Sequence, residues 1–424
     1  MITKENIWEH NFAHEELHKR QLDHLATSLT DQGIVVEDLL KKLDDFQIAI
    51  PSWALGTGGT RFGRFPEGGE PRSLDEKIED VGLLHQLSGS CNAISLHIPW
   101  DIPDDAQAIK SLANSFGLKF DAVNSNTFQD QPNASFSYKF GSLCHVDKAV
   151  REEAIAHNKS VIDHGVSLGS KALTVWLADG SNFPGQHNFR EALKRTQESL
   201  EEIYAYLPGD WHMLIEYKPY EPNFYSMVIP DWGTSHLLAS QLGEKALSLV
   251  DLGHHLPNTN IEQIVAILMM REKLGGFHFN DSKYGDDDLT TGSLKPYQLF
   301  LIFNELIDGT EHTGNPPLSW MIDASHNLKD PLEDLLQAVE AIKIAYAQAL
   351  IVNRLNLEEA QRKNDVARAQ QILQDAFRTD VRPLVAASRL RQGGVFDPVT
   401  VYRQLEIRKN LIQKRGTKTI STGL

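Results

Sequence analysis

Four carboxylate or imidazole side chains close four successive apolar runs. They are Glu216 in HMLIEY (212–217), Asp251 in ALSLVDL (246–252), His278 in GGFHFND (275–281) and Asp323 in SWMID (319–323). Carboxylates gathered in a partly buried place repel one another unless a cation neutralises them. Three carboxylates and one imidazole suit Mn2+ or another divalent ion, with Mg2+, Co2+ or Zn2+ as further options. A second set follows closely. His254 stands three residues past Asp251 in DLGHH, and Asp286 and Asp288 lie in HFNDSKYGDDD (278–288). In an extended loop Asp286 and Asp288 point to one side and Asp287 to the other. His254, Asp286 and Asp288 are therefore expected to form a second, more exposed metal site. Two ions can clamp two oxygens of one substrate. Each residue alone reads equally well as a cap or loop residue, and GDDD as a solvated acidic loop. The recurrence on four consecutive runs is what points to a metal centre.

Other residues near these runs have types that suit a polar substrate. Lys218, two residues past Glu216, can polarise a carbonyl or stabilise an alkoxide. If the strand end is extended, the two side chains face the same way. Asp281 and Lys283 read as support for the ligands. Trp53, His97, Trp100 and Trp176 fall at or just past run ends, and aromatic faces pack on the apolar sides of sugar rings. His97 is a candidate base or hydroxyl partner, and equally a structural histidine. The segment GTGGTRFGRFP (56–66) lacks the GK[ST] of a phosphate loop, so it reads as a lid with Phe62 or Phe65 as an apolar plug. Asn133-Ala134-Ser135 matches a glycosylation sequon, which has no meaning in a cytosolic protein.

Positioning these residues requires a repeated strand–helix unit. The four runs above are preceded by FQIAIP (46–51), AISLHIP (93–99), KFDAVN (119–124) and KALTVWL (171–177), which makes eight. Segments of helical period separate them: 73–87, 105–117, 151–169, 190–207, 260–275 and 296–307. Continuous apolar strands imply a parallel sheet covered on both faces, and eight such units fit an α/β (β/α)8 TIM barrel. In that fold the functional side chains sit at the C-terminal strand ends. Residues 1–45 read as an N-terminal helical segment, 46–350 as the catalytic barrel and 351–424 as a C-terminal helical extension.

Composition narrows the function. The chain of 424 residues carries 41 Lys+Arg against 57 Asp+Glu, a net charge of −16. That balance argues against nucleic acid or an anionic membrane as partner and leaves small molecules and cations. Two cysteines, Cys91 and Cys144, fit a reducing cytosol. The polar start MITKENIWEHNF is not expected to be a signal peptide, and no apolar run reaches membrane-spanning length. Residues 352–424 carry 14 Lys+Arg and 7 Asp+Glu, so a basic tail adjoins an acidic body and is expected to dock on it, to dock on a partner subunit, or simply to be a solvated face.

Several motifs resemble the L-rhamnose isomerase family, in its broad-specificity bacterial branch. They are PSWALGTGGTRF (51–62), SLHIPWD (95–101), DAVNSNTF (121–128), LTVWLADGSNFPGQ (173–186), VDLGHHLPNTNIE (250–262), GGFHFNDSKYGDDDL (275–289) and MIDASHN (321–327). The likeness is densest from about 45 to 350 and thins after DPVTVYR (397–403). It implies a xylose-isomerase-like barrel, a homotetramer and aldose–ketose isomerisation with two divalent ions, usually Mn2+. It implies that Glu216, Asp251, His278 and Asp323 hold the structural ion and that His254, Asp286 and Asp288 hold the catalytic one. Lys218, His97, Trp176 and Ser325 would contact substrate, and Phe62 would be a lid residue reaching a neighbouring subunit.

Two chemical routes stay open: a metal-assisted hydride shift between C1 and C2, or proton abstraction by Asp323 or a metal-bound hydroxide. A ketose 3-epimerase on the same barrel would use paired Glu bases, and Asp323 at the last strand end disfavours it. A non-catalytic sugar-binding protein would have lost a ligand, and none is missing. The preferred aldose is read by loop positions whose placement the sequence leaves open.

Overall fold

The computed structural model describes residues 2–57, 65–131, 134–221, 223–314, 316–326 and 328–418; Phe62 and Asn133 lie outside them. Two helices, α1 (Lys4–Asp31) and α2 (Val36–Asp45), precede the sheet. The eight apolar runs become β1 (Ala49–Pro51), β2 (Ala93–Ile98), β3 (Lys119–Ser125), β4 (Ala172–Val175), β5 (His212–Glu216), β6 (Ala246–Asp251), β7 (Leu274–Phe279) and β8 (Ser319–Ile322). Each strand pairs in parallel with its successor, and β1 also pairs with β8, which closes the barrel. The (β/α)8 expectation holds. Parallel register puts Asp251 beside His278 and Met321 beside His278, so the ends of β6, β7 and β8 stand at one height. At Gly276 a Cβ would lie 2.4 Å from the Ser319 carbonyl oxygen, so the close approach of β7 to β8 requires glycine there.

A helix follows every strand: α3 (Leu74–Ser88), α4 (Ala106–Ser115), α5 (Lys148–Leu168), α6 (Phe189–Tyr206), α7 (Trp232–Leu242), α8 (Ile261–Met270), α9 (Pro296–Thr313) and α10 (Pro331–Leu350). The segment 260–275, read as one helix, stops at Met270. Glu272 adopts a left-handed φ of 54° and turns the chain into β7. Helix α7 has no clear apolar period. It is started by Asp231, whose side chain accepts from Thr234 N at 2.7 Å. The sequence also hid a two-stranded antiparallel ribbon, Gly180–Ser181 against Ser226–Met227, joining the loops after β4 and β5.

The basic C-terminal segment is helical throughout: α11 (Arg354–Arg362), α12 (Val366–Arg378), α13 (Arg382–Arg391), α14 (Pro398–Gln404) and α15 (Ile407–Arg415). A left-handed Asn364 (φ 54°) separates α11 from α12. This tail docks on the body. Arg408 pairs with Asp330 at 2.6 Å, and Arg391 with Glu37 at 2.7 Å. Arg415, fully buried, forks onto Asp80 of α3 at 2.7 and 2.8 Å. Among the described residues no single helix is long and apolar enough to cross a membrane. The bent pair α10–α11 reaches the length and apolarity required, but most of α10 is buried in the core.

Candidate functional site

The strand ends deliver Glu216, Asp251, His278 and Asp323 to one point. One ligand atom from each lies within 4.8 Å of the others. His278 Nδ1 is 3.2 Å from Glu216 Oε1, 3.6 Å from Asp251 Oδ2 and 3.7 Å from Asp323 Oδ2. Glu216 ends β5, Asp251 ends β6, His278 is the penultimate residue of β7, and Asp323 directly follows β8. Backbone pairing extends to Asp323, whose N–H donates to Phe279 O at 3.0 Å.

A second group overlaps the first. Asp251, His254 and Asp286 also bring ligand atoms within 4.8 Å of one another, so Asp251 belongs to both groups. His254 stands between them, with Nδ1 3.2 Å from Glu216 Oε1 and Nε2 3.4 Å from Asp286 Oδ2. Asp288 lies alongside: Ser325 Oγ donates to its Oδ2 at 3.0 Å, and it lines the same pocket. Two expectations about this loop are corrected. It is not extended, because Asp288 takes a left-handed φ of 48° and an antiparallel bridge between Asp281 and Leu289 folds the loop back. It is also not exposed: Asp286 and Asp288 are each only 7% accessible. Asp287 is the residue that turns outward, accepting from the N–H groups of Lys283 and Tyr284 at 2.6 and 3.0 Å. The Asp281 carboxylate accepts from Leu294 N and Lys295 N at the start of α9 instead of from a candidate ligand, and it is its backbone bridge to Leu289 that stands beside Asp288. Lys283 instead lies over the Tyr284 ring and does not line the pocket. Gly253 lets Asp286 approach, since a Cβ there would lie 3.0 Å from Asp286 Oδ1.

The electrostatics fit a cation. Burial raises Asp323 to about 7, with Asp251 and Glu216 adding repulsion. Burial and the neighbouring Asp286 and Asp323 push Asp288 well above the carboxylate range. Burial opposes charge on His278, yet Glu216, Asp251 and Asp323 raise it to about 10. Burial also opposes charge on Glu216, but His278 and His254 outweigh it and hold the carboxyl low. The cluster thus draws protons onto its imidazoles and onto two of its acids, as crowded carboxylates do. Asp251 Oδ2 and the Nδ1 atoms of His254 and His278 are buried without a hydrogen bond of acceptable geometry. Oxygen and imidazole donors converging in this way fit a divalent ion.

The cluster floors a pocket of about 650 Å3. Trp53, His97, Trp100, Trp176, Lys218 and Ser325 all line it. Trp53 does more than wall the pocket: its Nε1 donates to Asp323 Oδ1 at 2.8 Å. Burial, with His157 and Lys77 nearby, lowers His97 to about 3, so it is neutral at pH 7. Lys218 Nζ lies 5.2 Å from the Trp176 ring centre, 2.5 Å from Asp286 Oδ2, and bonds Glu221. Burial disfavours its charge, but Asp286 and Glu221 raise its pKa above the ordinary value. Phe65 is 66% exposed and outside the pocket lining. Sequence reasoning missed Glu221 and Phe128. Phe128 bridges the aromatic wall, 4.7 Å from Trp176 and 6.0 Å from Trp100 between ring centres. Its only signal was an aromatic residue three past the end of β3.

A family model described as xylose isomerase-like TIM barrel matches residues 90–293. A protein named "Probable sugar isomerase" from Rhizobium meliloti (strain 1021) is 49% identical over 416 residues, 98% of this chain and 97% of its own. This chain belongs to the xylose isomerase-like TIM-barrel family. A second protein of that name, from Mesorhizobium japonicum, is 49% identical across 100% of this chain and 98% of its own. Among solved structures, D-allulose 3-epimerase from Methylomonas sp. superposes with a TM-score of 0.51 over 71% of this chain and 98% of that one. At 14% identity that likeness shows a shared fold. This family member is thus a sugar isomerase-like barrel with acidic and histidine residues able to hold a metal at its C-terminal strand ends.

Proposed function

We propose that the protein is a cytoplasmic, divalent-metal-dependent aldose–ketose isomerase that interconverts L-rhamnose and L-rhamnulose and accepts other aldoses. The observation that carries this reading is the pair of overlapping ligand groups sharing Asp251, with Lys218 beside one of them and aromatic walls around both. The relatives' name and the divalent metals common in xylose isomerase-like enzymes support it. Glu216, Asp251, His278 and Asp323 would hold one ion, and His254, Asp286 and Asp288, with Asp251, the other. Mn2+ is the ion we propose. Bound there, such ions would supply Lewis acidity toward two neighbouring substrate oxygens.

The chain's own groups divide the remaining work. Lys218 stays cationic and would stabilise charge developing on the carbonyl oxygen. His97 is neutral and can exchange hydrogen bonds with a sugar hydroxyl. Trp53 orients Asp323 by its indole N–H. Trp53, Trp100 and Trp176 would pack on the apolar faces of the sugar, and Ser325 would meet a hydroxyl. Phe62 is proposed as a lid residue. The barrel over 46–350 would be catalytic and the flanking helices its appendages. Assembly into a homotetramer is part of the proposal, and exposed Phe65, Phe183, Tyr225 and Tyr284 on the loops of the C-terminal face are apolar area that it would cover. Two buried free cysteines support a reducing compartment.

The test is incubation of the Mn2+-loaded protein with a panel of aldoses and ketoses, resolving the products by chromatography. Formation of L-rhamnulose from L-rhamnose is the expected result. Inversion at C3 of a ketose without aldose formation would replace this reading with the epimerase. Sugar binding without turnover would reduce the protein to a binding module.

A further inference from the structure

The loops after β7 and β8 carry Asp286 and Asp288 on one side and Asp323 and Ser325 on the other. They touch directly, since Ser325 N donates to Asp288 O at 3.1 Å and Ser325 Oγ to Asp288 Oδ2 at 3.0 Å. Outside the pocket lining, one carboxylate receives groups from both loops. Asp334 lies in the first turn of α10 with a side chain only 4% exposed. Thr290, two residues past Asp288, donates its hydroxyl to Asp334 Oδ1. His326, next to Ser325, places Nδ1 2.8 Å from Asp334 Oδ2. Lys329 Nζ bonds both Asp334, at 2.8 Å, and Thr290. Asp334 itself is held by a rigid frame. Its N–H donates to Asp330 O at 3.0 Å, and Asp330 caps α10 through Leu332 N.

We propose that Asp334 is a positioning residue: by accepting from Thr290 and His326 together, it fixes the loop after β7 against the loop after β8. It thereby sets the separation of Asp286 and Asp288 from Asp323 and Ser325. The inference rests on the reading of those four residues as metal- and substrate-binding groups. A displacement of about 1 Å in such a constellation can cost a hundredfold in rate. Asp334 lies at the start of a helix anchored in the core, so it provides a fixed point that neither loop has by itself.

The experiment compares the parent with Asp334→Asn, Thr290→Val, their double variant and Thr290→Ser. Mn2+ affinity is measured by calorimetry, and kcat and KM at saturating Mn2+. Asp334→Asn and Thr290→Val should each weaken Mn2+ binding at least tenfold and lower kcat at least tenfold, with KM within twofold. The double variant should be no worse than the poorer single, because both break one network. Thr290→Ser should restore parent behaviour. Should Asp334→Asn fail to fold, Thr290→Val, which removes one hydroxyl at similar volume, decides the matter. Melting temperatures that fall while Mn2+ affinity and kcat stay within twofold would overturn the proposal and leave a structural role. A parent that binds Mn2+ but turns over no sugar would remove the isomerase reading, and the variants' Mn2+ affinities would still decide this one. A parent that binds no Mn2+ would overturn both.

Discussion

Lys218 makes two ion pairs at once, with Asp286 and Glu221, and both partners are largely buried. Its ammonium therefore sits fixed beside the second ligand group, where an added charge donor is typically worth roughly 10²–10³ in rate. Lys218→Met keeps most of the packing and removes the charge. We expect kcat to fall by about that factor while Mn2+ stays bound, because the Asp286 carboxylate then loses a competing cation. The check is kcat and metal content on one sample; loss of metal together with activity would move Lys218 to a structural role. Titration gives a second test. In the metal-free protein Asp323 is raised from 3.8 to about 7 and His278 from 6.5 to about 10. A raised pKa lends stability below the unfolded-state value and loses it as pH climbs through the folded one. The stabilisation these two groups lend the metal-free protein should thus shrink from about pH 4 toward pH 10. Mn2+ takes the place of those protons, so its gain in melting temperature should be larger at pH 8 than at pH 6, as thermal scans with and without the ion would show.

Among the elements, α15 shows how a buried ion pair differs from an exposed one. Arg415 is 0% exposed and its fork meets an Asp80 that is 2% exposed, whereas Arg403 meets Glu333 while itself 67% exposed. Arg415→Ala strands a buried carboxylate. It should cost roughly 3–5 kcal/mol, whereas Arg403→Ala should cost at most about 1 kcal/mol. Urea unfolding of the two variants reads both values; equal losses would mean that α15 is not a structural clamp. The clamp has a further consequence for the loop after β1. Arg415 and Arg408 also donate to Gly69 O and Gly68 O, and Gly69 N donates to Gly416 O. The return limb of the glycine-rich segment is therefore fastened from outside the barrel. Its base is closed from within by Glu70, which accepts from Thr57 N at 3.1 Å.

For the molecule as a whole, the dominant question is what neutralises the rim. Glu216, Asp251, Asp286, Asp288 and Asp323 are gathered at one end of a closed barrel, with His254, His278 and Lys218 as the nearby cationic groups. Stripping divalent ions with EDTA should abolish turnover and lower the melting temperature, since an ion at a hundred times its Kd adds about 2.7 kcal/mol. Full activity in protein shown metal-free by elemental analysis would defeat the metal-dependent reading. Because Asp286 and Asp288 are as buried as the rest of the cluster, substitutions in either group should lower stability as well as activity. The two groups should differ in degree and not in kind. Sedimentation velocity is expected to give a tetramer near four times 47.6 kDa; a monomer would leave the exposed aromatic residues of the rim without their proposed partner.

The eight strands and the four residues at the ends of β5 to β8 were legible in the sequence for a definite reason. Strands buried on both faces must be continuous apolar runs, so a Glu, Asp or His at such an end is conspicuous. Lys218, His254, Trp53, Trp100 and Trp176 stand within three residues of strand ends and were legible there, whereas Phe128, at the same spacing past β3, was missed. The depth of Asp286 and Asp288 was not legible. An acidic run normally lies in water, and only the left-handed turn at Asp288 and the bridge from Asp281 to Leu289 draw it into the pocket. The sharing of Asp251 between two ligand groups was equally hidden, because it depends on the parallel register of β6 with β7. Asp334 lies eleven residues past Asp323, on a helix whose period marks it as one more polar position. Only the packing of α10 beneath two separate loops makes it the residue that both loops share. Local pattern reports what each segment must bury, whereas distances between segments are set by barrel closure and by which long-range pairs remain once water is excluded.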